Sequence, residues 1–206
     1  IFCKQPTHGL HRVIMRYLIS QVANRYRNLS IIHLVPNILS ASRYFIAIPM
    51  GLFVWHSMWI PAVIVLWIAI TTDVVDGRLA RYLNVQSSLG GLLDHSSDAV
   101  FVSVTLLSLA RLGLVPLVLP ICIALAFLQY MLDSKSLSGM PLRTSALGRC
   151  NGICYFILAG FPIMQHSLQI FIIEKDMFVL FGWGLALSTV LSMMDRAWTL
   201  LRRVNK

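Results

Sequence analysis

The sequence predicts an all-α integral membrane protein with six transmembrane helices and an N-terminal amphipathic helix that lies in the membrane interface. Two observations support this fold class. The 206 residues are 57% hydrophobic and only 12% charged, and their mean hydropathy is +0.75, outside the range of ordinary soluble domains. Apolar runs nearly free of charge also recur along the chain, and each is long enough to cross a hydrocarbon core of about 30 Å once or twice.

The first segment, residues 1–35, is predicted to be amphipathic and juxtamembrane. Between Leu10 and Tyr26 the apolar side chains fall on one helical stripe and the arginines lie off it, which suits a helix in the headgroup region. The alternative is a helix that docks on a partner. The chain opens on Ile1 rather than Met, so we expect native residues to precede it.

Residues 36–206 are predicted to form a single six-helix domain. Breaks at His56–Pro61, Arg111–Pro116 and Glu174–Asp176 divide the apolar runs. The helices are expected at about residues 37–56, 60–82, 88–112, 115–134, 148–172 and 177–203. The connections are short, so no separate soluble domain is expected.

The net charge of +9 comes from basic residues that alternate between the connections. Of the 17 lysines and arginines, all except Arg111 and Lys175 lie on one predicted side of the membrane. This alternation indicates membrane topology through the positive-inside rule, and it argues against nucleic-acid binding. Both termini are therefore predicted to be cytoplasmic, and a bacterial inner membrane is the expected location.

Four aspartates interrupt the apolar sequence between residues 71 and 98. Asp73 and Asp76 lie near the end of the second predicted helix, and Asp94 and Asp98 lie near the start of the third. A carboxylate next to hydrocarbon is costly, so acids inside membrane helices indicate a functional site. Since the second helix descends to the cytoplasmic face and the third returns from it, we expect one shared cytoplasmic site.

Helical spacing places each pair of acids on one face beside small residues. The first set, spaced i, i+3, i+4 and i+7, is Asp73, Asp76, Gly77 and Ala80. The second set, spaced i, i+4 and i+8, is Gly90, Asp94 and Asp98. Four such carboxylates repel one another unless cations hold them together, and hard oxygen ligands suit Mg²⁺ or Mn²⁺, most naturally as two ions.

Two arginines and a histidine lie beside these acids. Arg78 and Arg81 offer cations for phosphate oxygens, so a metal site with these arginines indicates a diphosphate site. The alternative is that the acids form internal salt bridges with the same arginines. His95 is about 100° around the helix from Asp94, so we expect it to be a bystander and not a metal ligand.

The motif from Asp73 to Asp98 resembles the signature of the CDP-alcohol phosphotransferases, also called CDP-alcohol phosphatidyltransferases, at every defined position. It reads D-x-x-D-G-x-x-A-R, then eight residues, then G-x-x-x-D-x-x-x-D. The stretch Pro36–Ser40 with Arg43 is similar to the P-N-x-L-S/T start of the first span in many members. Ser145–Arg149 is similar to their S-x-L-G-K/R loop before the fifth span. The resemblance covers about residues 36–203 and implies a homodimeric membrane enzyme of phospholipid biosynthesis.

The resemblance also implies the chemistry and the residues that perform it. A phosphatidyl group would pass from CDP-diacylglycerol to an acceptor alcohol, with release of CMP. By resemblance, Asp73, Asp76 and Asp94 are metal ligands, and Asp98 is the general base and a further ligand. The CDP and diphosphate pocket would be formed by Asp73, Gly77, Ala80, Arg81 and Gly90.

The acceptor has to be inferred from the loop before the fifth helix. Arg143 and Arg149, assisted by Lys135, form a basic cluster there that suits an acceptor carrying a phosphate, although positive-inside residues would look the same. Family members that use glycerol 3-phosphate or inositol phosphate carry basic residues in this loop. A phosphatidylglycerophosphate-type or phosphatidylinositol-phosphate-type synthase is therefore the first expectation.

A departure from the family pattern keeps other acceptors open. Many phosphatidylglycerophosphate synthases read D-P-x-A-D-K around the last two acids, whereas this chain reads D-H-S-S-D-A from Asp94 to Ala99. Cardiolipin-type and phosphatidylserine-type synthases are the alternatives within the family. Outside it, an intramembrane prenyltransferase lacks the D-G-x-x-A-R continuation and releases inorganic diphosphate, and a cation transporter keeps its acids near the midplane.

Overall fold

The computed structural model describes residues 35–83, 88–133, 146–170 and 172–204. They form six helices: α1 (Val35–Trp55), α2 (Trp59–Leu83), α3 (Ser88–Arg111), α4 (Val118–Asp133), α5 (Ala146–Leu168) and α6 (Lys175–Val204). No strand occurs within these ranges, so they are all-α as predicted. The predicted amphipathic helix, Leu10–Tyr26, lies outside the described residues.

Five of these helices contain stretches long and apolar enough to cross a membrane. The stretches are Asn37–Trp55, Trp59–Arg78, Gly90–Arg111, Leu147–Leu168 and Lys175–Trp198. The apolar part of α4, Val118–Leu132, is shorter, roughly 23 Å at 1.5 Å per residue. Large apolar side chains such as Phe45, Ile60 and Leu180 are exposed on the outside of the helices. This arrangement fits a multi-pass integral membrane protein, while the sixth span stays a prediction.

The predicted helix limits agree with the structure to within a few residues, and the largest differences lie at two connections. α4 begins at Val118 and not near residue 115, because Gly113 has a left-handed φ of 69° and Pro116 disfavours the helical conformation at Val115. α5 ends at Leu168 and not near residue 172, because Gln169 has a φ of 55°. A left-handed residue at this position ends a helix.

The packing of α1 against α3 positions the candidate site. α1 makes its most extensive contact with α3 and its next with α2. A Cβ atom on Gly51 would lie 2.6 Å from Cγ1 of Val104, so only glycine permits this approach of the two helices. The hydroxyl of Ser108 donates a hydrogen bond of 3.1 Å to the carbonyl oxygen of Gly51. The two helices are thereby held side by side.

α4, α5 and α6 complete the helix bundle. α4 packs on α3 and α6, and α5 packs on α2, α3 and α6. Between α5 and α6, Ser188 donates to Oδ1 of Asn151 at 2.8 Å, and the hydroxyls of Tyr155 and Thr189 lie 2.5 Å apart. Since lipid offers no hydrogen-bond partners, such pairs fix how neighbouring membrane helices face each other.

Gly51→Leu should lower the stability of the protein by about 1–3 kcal/mol, because the added side chain has to displace the β-branched Val104 or separate α1 from α3. The midpoint of thermal unfolding in detergent measures this effect. Gly184→Leu is the matched control, since a Cβ there meets nothing within 4 Å. Equal midpoints for the two variants would show that α1 and α3 do not depend on this contact.

Candidate active site

Four aspartates converge at one end of the bundle, from the C-terminal half of α2 and the N-terminal half of α3. Carboxylate oxygens of Asp73, Asp76 and Asp94 lie within 4.8 Å of one another. Oxygens of Asp94 and Asp98 form a second group of the same size with a ring nitrogen of His95. The structure therefore brings together all four acids that helical spacing placed on facing surfaces.

The guanidinium group of Arg43 lies at the centre of the four carboxylates. Its Nη1 donates to Oδ1 of Asp73 at 2.8 Å and also to Oδ1 of Asp98. Its Nη2 donates to Oδ2 of Asp76 at 2.9 Å and also to Oδ1 of Asp94. The side chain is only 1% exposed. One cation on α1 is therefore shared by two acids of α2 and two acids of α3.

The central position of Arg43 differs from what the sequence predicted. Sequence analysis assigned Arg43 to membrane topology and to a motif at the start of the first span, and it considered Arg78 and Arg81 as salt-bridge partners. The acids do form ion pairs, but every pair described for them is with Arg43. Arg78 is exposed, and the side chain of Arg81 lies outside the described part of the chain. The available signal was an arginine within the first apolar stretch, Asn37–Trp55, near its start.

The four acids differ in how much of each a ligand can reach. Asp76 is only 3% exposed, and its Oδ2 also accepts a hydrogen bond of 3.0 Å from the hydroxyl of Ser40. The side chains of Asp73, Asp94 and Asp98 are 45%, 37% and 27% exposed. Asp76 is thus held by hydrogen bonds from α1, whereas the side chains of the other three acids are partly accessible to a ligand.

The charge and the donor atoms of this cluster fit a divalent cation. Four carboxylates around one guanidinium give the described side chains of the cluster a net formal charge of −3. All of the converging atoms of the two aspartate pairs are carboxylate oxygens, which Mg²⁺ and Mn²⁺ prefer. The acidic cluster can therefore hold a metal ion, while the number and identity of the ions stay predictions.

A cavity of about 540 Å³ lies beside the acids and is lined by residues of α2 to α6. Asp73 and Asp98 belong to its lining, and so do two arginines, Arg149 at the start of α5 and Arg196 in α6. The remaining lining is largely apolar and aromatic and includes Val102, Ile123, Phe127, Ile153 and Phe156. Two of the acids thus border a space whose lining is mostly apolar and includes two cations.

Three buried polar atoms in the cavity lining make no hydrogen bond with any described residue. They are Oε1 of Gln129, the hydroxyl of Tyr130 and Nδ2 of Asn151. Arg196 stacks over the ring of Tyr130, with its Cζ 4.7 Å from the ring centroid. Sequence analysis missed this group, because its residues belong to no recognisable motif. The one indication in the sequence was that polar residues occur inside apolar spans.

His95 lies close to Asp94 and Asp98, and its role as a bystander stays a prediction. It is exposed, it lines the cavity, and its ring contacts Tyr130 edge-on at a centroid distance of 5.9 Å. Of the residues predicted for an acceptor phosphate, only Arg149 is described, and it is exposed in the cavity lining. Lys135 and Arg143 lie outside the described residues.

Of the residues predicted for the CDP pocket, Asp73 lines the cavity and Gly77 does not. A Cβ atom on Gly77, one helical turn from Asp73, would meet nothing within 4 Å, so the space over this glycine is open. Gly90 is half-buried near the start of α3. Ala80 and Arg81 continue α2, with side chains outside the described set.

Comparison with known proteins identifies relatives of this chain. Residues 33–194 match the family model described as CDP-alcohol phosphatidyltransferase. A CMP-forming cardiolipin synthase of Streptomyces coelicolor is 30% identical over 166 residues, which cover 74% of each chain. A CMP-forming cardiolipin synthase of Rattus norvegicus is 35% identical over 83 residues, or 40% of this chain and 28% of the rat protein.

A further relative differs in its named acceptor. The CDP-diacylglycerol–glycerol-3-phosphate 3-phosphatidyltransferase of Aquifex aeolicus is 34% identical over 74 residues, which cover 36% of this chain and 42% of that protein. The chain thus spans less than a third of the rat relative and less than half of the Aquifex relative. These names argue against an intramembrane prenyltransferase or a cation transporter, and they leave the acceptor to be determined.

Mg²⁺ or Mn²⁺ should raise the midpoint of thermal unfolding, because an ion held by the folded cluster stabilises it by about 2.7 kcal/mol at a concentration 100 times its dissociation constant. Asp76→Asn should reduce this rise, since it removes a charge from the cluster. Asp176→Asn is the control, because Asp176 is exposed in the first turn of α6. The metal site would be refuted by midpoints that do not respond to either ion.

Proposed function

Since the chain belongs to the CDP-alcohol phosphatidyltransferase family, we propose that it transfers a phosphatidyl group from CDP-diacylglycerol to the hydroxyl of phosphatidylglycerol and releases CMP. Membership of this family makes the protein a transferase of phospholipid biosynthesis. The observation that supports the fuller proposal is a four-aspartate cluster that borders both an open glycine surface and a largely apolar cavity with two arginines.

The donor is bound on the glycine side of the acids in this proposal. Asp73, Asp76 and Asp94, together with Asp98, would hold the divalent ions, which when bound neutralise the charge of the diphosphate. The open space over Gly77 leaves room for the CDP group next to the acids. The rest of this pocket is assigned to Ala80, Arg81 and Gly90.

The acceptor reacts from the cavity side. Its hydroxyl oxygen attacks the phosphorus that carries the diacylglycerol, so that a new oxygen–phosphorus bond forms. The bond from this phosphorus to the oxygen shared with CMP breaks, and CMP leaves with the electron pair. Asp98 lies in the cavity lining, where it can accept the hydroxyl proton. Asp98 is therefore assigned as the general base.

A lipid acceptor fits the lining of the cavity better than a small soluble one does. The apolar and aromatic side chains suit acyl chains or a glycerol backbone, while Arg149 and Arg196 suit a phosphodiester. The unpartnered polar atoms of Gln129, Tyr130 and Asn151 would find partners in the hydroxyl groups of a glycerol headgroup. Two relatives named as cardiolipin synthases support the same acceptor.

A phosphorylated polyol is the second candidate acceptor, and it was the first expectation from the sequence. The two arginines in the cavity lining and the Aquifex relative, named for glycerol 3-phosphate, favour it. Inositol phosphate carries the same phosphate chemistry. The apolar lining is the reason for placing the lipid acceptor ahead of both.

The membrane arrangement of the proposed enzyme follows from its charge distribution. We place the acids, the cavity and both termini on the cytoplasmic side, because nearly all basic residues lie on that predicted side. The end of the bundle that holds the acids also holds Arg149 and Arg196. The family resemblance supports a homodimer.

Purified protein in detergent with Mg²⁺ and CDP-diacylglycerol should release CMP when phosphatidylglycerol is added, and chelation of the metal should stop the reaction. Parallel reactions with glycerol 3-phosphate, inositol phosphate and serine test the other acceptors. Asp94→Asn should lower the rate by about a hundredfold or more, whereas Asp176→Asn should not. Release with glycerol 3-phosphate alone would reject the lipid acceptor, and no release with any acceptor would reject the transferase.

Arg149→Ala should raise the KM for the acceptor by about 10- to 100-fold, because a hydrogen bond to a charged group contributes roughly 1.5–3 kcal/mol. The KM for CDP-diacylglycerol should change little, since Arg149 lines the cavity and not the glycine side. Steady-state kinetics with each substrate varied in turn measure the difference. Arg111→Ala, an exposed arginine at the end of α3 away from the acids, is the control. Equal effects on both KM values would make Arg149 a membrane anchor only.

A further inference from the structure

Arg43 occupies the position that a metal ion would need. Its two terminal nitrogens contact one oxygen from each of the four carboxylates, so that each nitrogen serves one acid of α2 and one acid of α3. A divalent ion bound by the cluster would require oxygens from the same side chains. The guanidinium and the metal are therefore competitors for the same carboxylates.

The burial of Arg43 separates it from an ordinary surface ion pair. The side chain is 1% exposed, and its Nε, which is also buried, makes no hydrogen bond with any described residue. A buried guanidinium with an unused donor costs free energy that only its acidic partners can offset. The residue is therefore held in place by the carboxylates, and the carboxylates are held together by it.

We propose that Arg43 is a resident counter-cation of the acid cluster, a positioning residue that keeps the four carboxylates converged before metal binds and that lowers their affinity for metal. Without it, the repulsion between the acids would drive α2 and α3 apart in the metal-free protein. With it, an entering ion has to displace the guanidinium from at least some of its oxygens. The proposal rests on the metal site of the proposed function and not on the acceptor.

Arginine is suited to this role in a way that lysine is not. Its planar guanidinium presents donors in a fixed fork, stays charged at every pH at which the protein folds, and can contact several carboxylates at once. An ammonium group is a compact point charge on a flexible stem. A lysine at position 43 would supply the charge but could not hold two acids of α2 and two acids of α3 together.

The proposal makes opposite predictions for stability and for metal affinity. If Arg43 were only a structural ion pair, its removal would let the carboxylates separate, and both quantities would fall. If it is a resident counter-cation, its removal lowers stability without metal but strengthens metal binding, because the cluster gains one unit of negative charge and loses a competitor. The sign of the change in affinity distinguishes the two roles.

The test uses Arg43→Gln, which removes the charge and keeps part of the length of the side chain. Binding of Mn²⁺ is measured by the electron paramagnetic resonance signal of the free ion, and thermal unfolding is followed with chelator and with Mn²⁺. We expect the variant to unfold at a lower temperature in chelator and to bind Mn²⁺ with about tenfold lower dissociation constant, the size of effect that one neighbouring charge exerts. The midpoint should also rise further on Mn²⁺ addition than in the unmodified protein.

The control is Arg78→Gln, which removes an exposed arginine near the same end of α2. This variant loses the same formal charge outside the cluster, so its dissociation constant for Mn²⁺ should stay within about threefold of the original value, as expected for a screened surface charge. An equal gain in affinity for both variants would attribute the effect to net charge and would overturn the assignment to Arg43.

A second variant, Arg43→Lys, keeps the test decisive if the glutamine variant does not fold. It retains the charge and loses the fork, so we expect a dissociation constant below that of the original protein but above that of a cluster without the cation, with a lower unfolding midpoint in chelator. Weaker Mn²⁺ binding in either variant, or unchanged binding in both, would overturn the proposal. None of these measurements uses a lipid substrate, so a failure to release CMP remains a separate result.

Discussion

The ion pairs between Arg43 and four aspartates are the interaction on which the rest of this structure depends. An uncompensated charge inside an apolar bundle costs several kcal/mol even after the surroundings relax, and this bundle contains four carboxylates in one place. The guanidinium of Arg43, on α1, offsets that cost by forming ion pairs with the acids of α2 and α3. The close approach of α1 to α3 at Gly51 holds the two helices side by side, and Arg43 reaches the cluster from α1.

In the proposed reaction the acids have to serve both a donor and an acceptor. Asp73 and Asp98 belong to the lining of the cavity, while the open surface over Gly77 is not part of that lining. The proposed donor and acceptor would then meet at the carboxylates from different surfaces. The positions of α2 and α3 would bring their reacting atoms together, which is the contribution of orientation to catalysis.

The features that could be predicted from the sequence are those that repeat at short intervals along the chain. Runs of apolar residues gave the helices to within a few residues, and the i, i+3 and i+4 spacing of Asp73, Asp76 and Gly77 placed them on one helical face. The partner of the acids was not predictable, because Arg43 is 30 residues from Asp73 along the chain and an arginine near a helix start also satisfies the positive-inside rule. Contacts between distant helices have no period that a single sequence can show.

The same limit applies to the cavity. Tyr130, Asn151 and Arg196 lie on three different helices, and none of them belongs to a recognisable motif. Arg149 was predictable because it ends a short motif, whereas Arg196, the second arginine of the cavity lining, was not. Polar residues inside apolar spans were visible in the sequence, but only packing shows which of them pair with each other and which face a space.

The polar groups near the cavity fall into those that pair with a neighbouring helix and those that have no partner among the described residues. Between α5 and α6, Ser188 pairs with Asn151 and Tyr155 pairs with Thr189, so these groups stabilise helix packing in the absence of any ligand. Nδ2 of Asn151 and the hydroxyl of Tyr130 are buried without a partner among the described residues, and both residues line the cavity. A buried polar atom that lacks a partner costs about 1–3 kcal/mol, so a ligand that supplied hydrogen bonds there would regain that free energy on binding. Under the proposed function, the lining would therefore favour an acceptor with a polar headgroup over a purely apolar lipid.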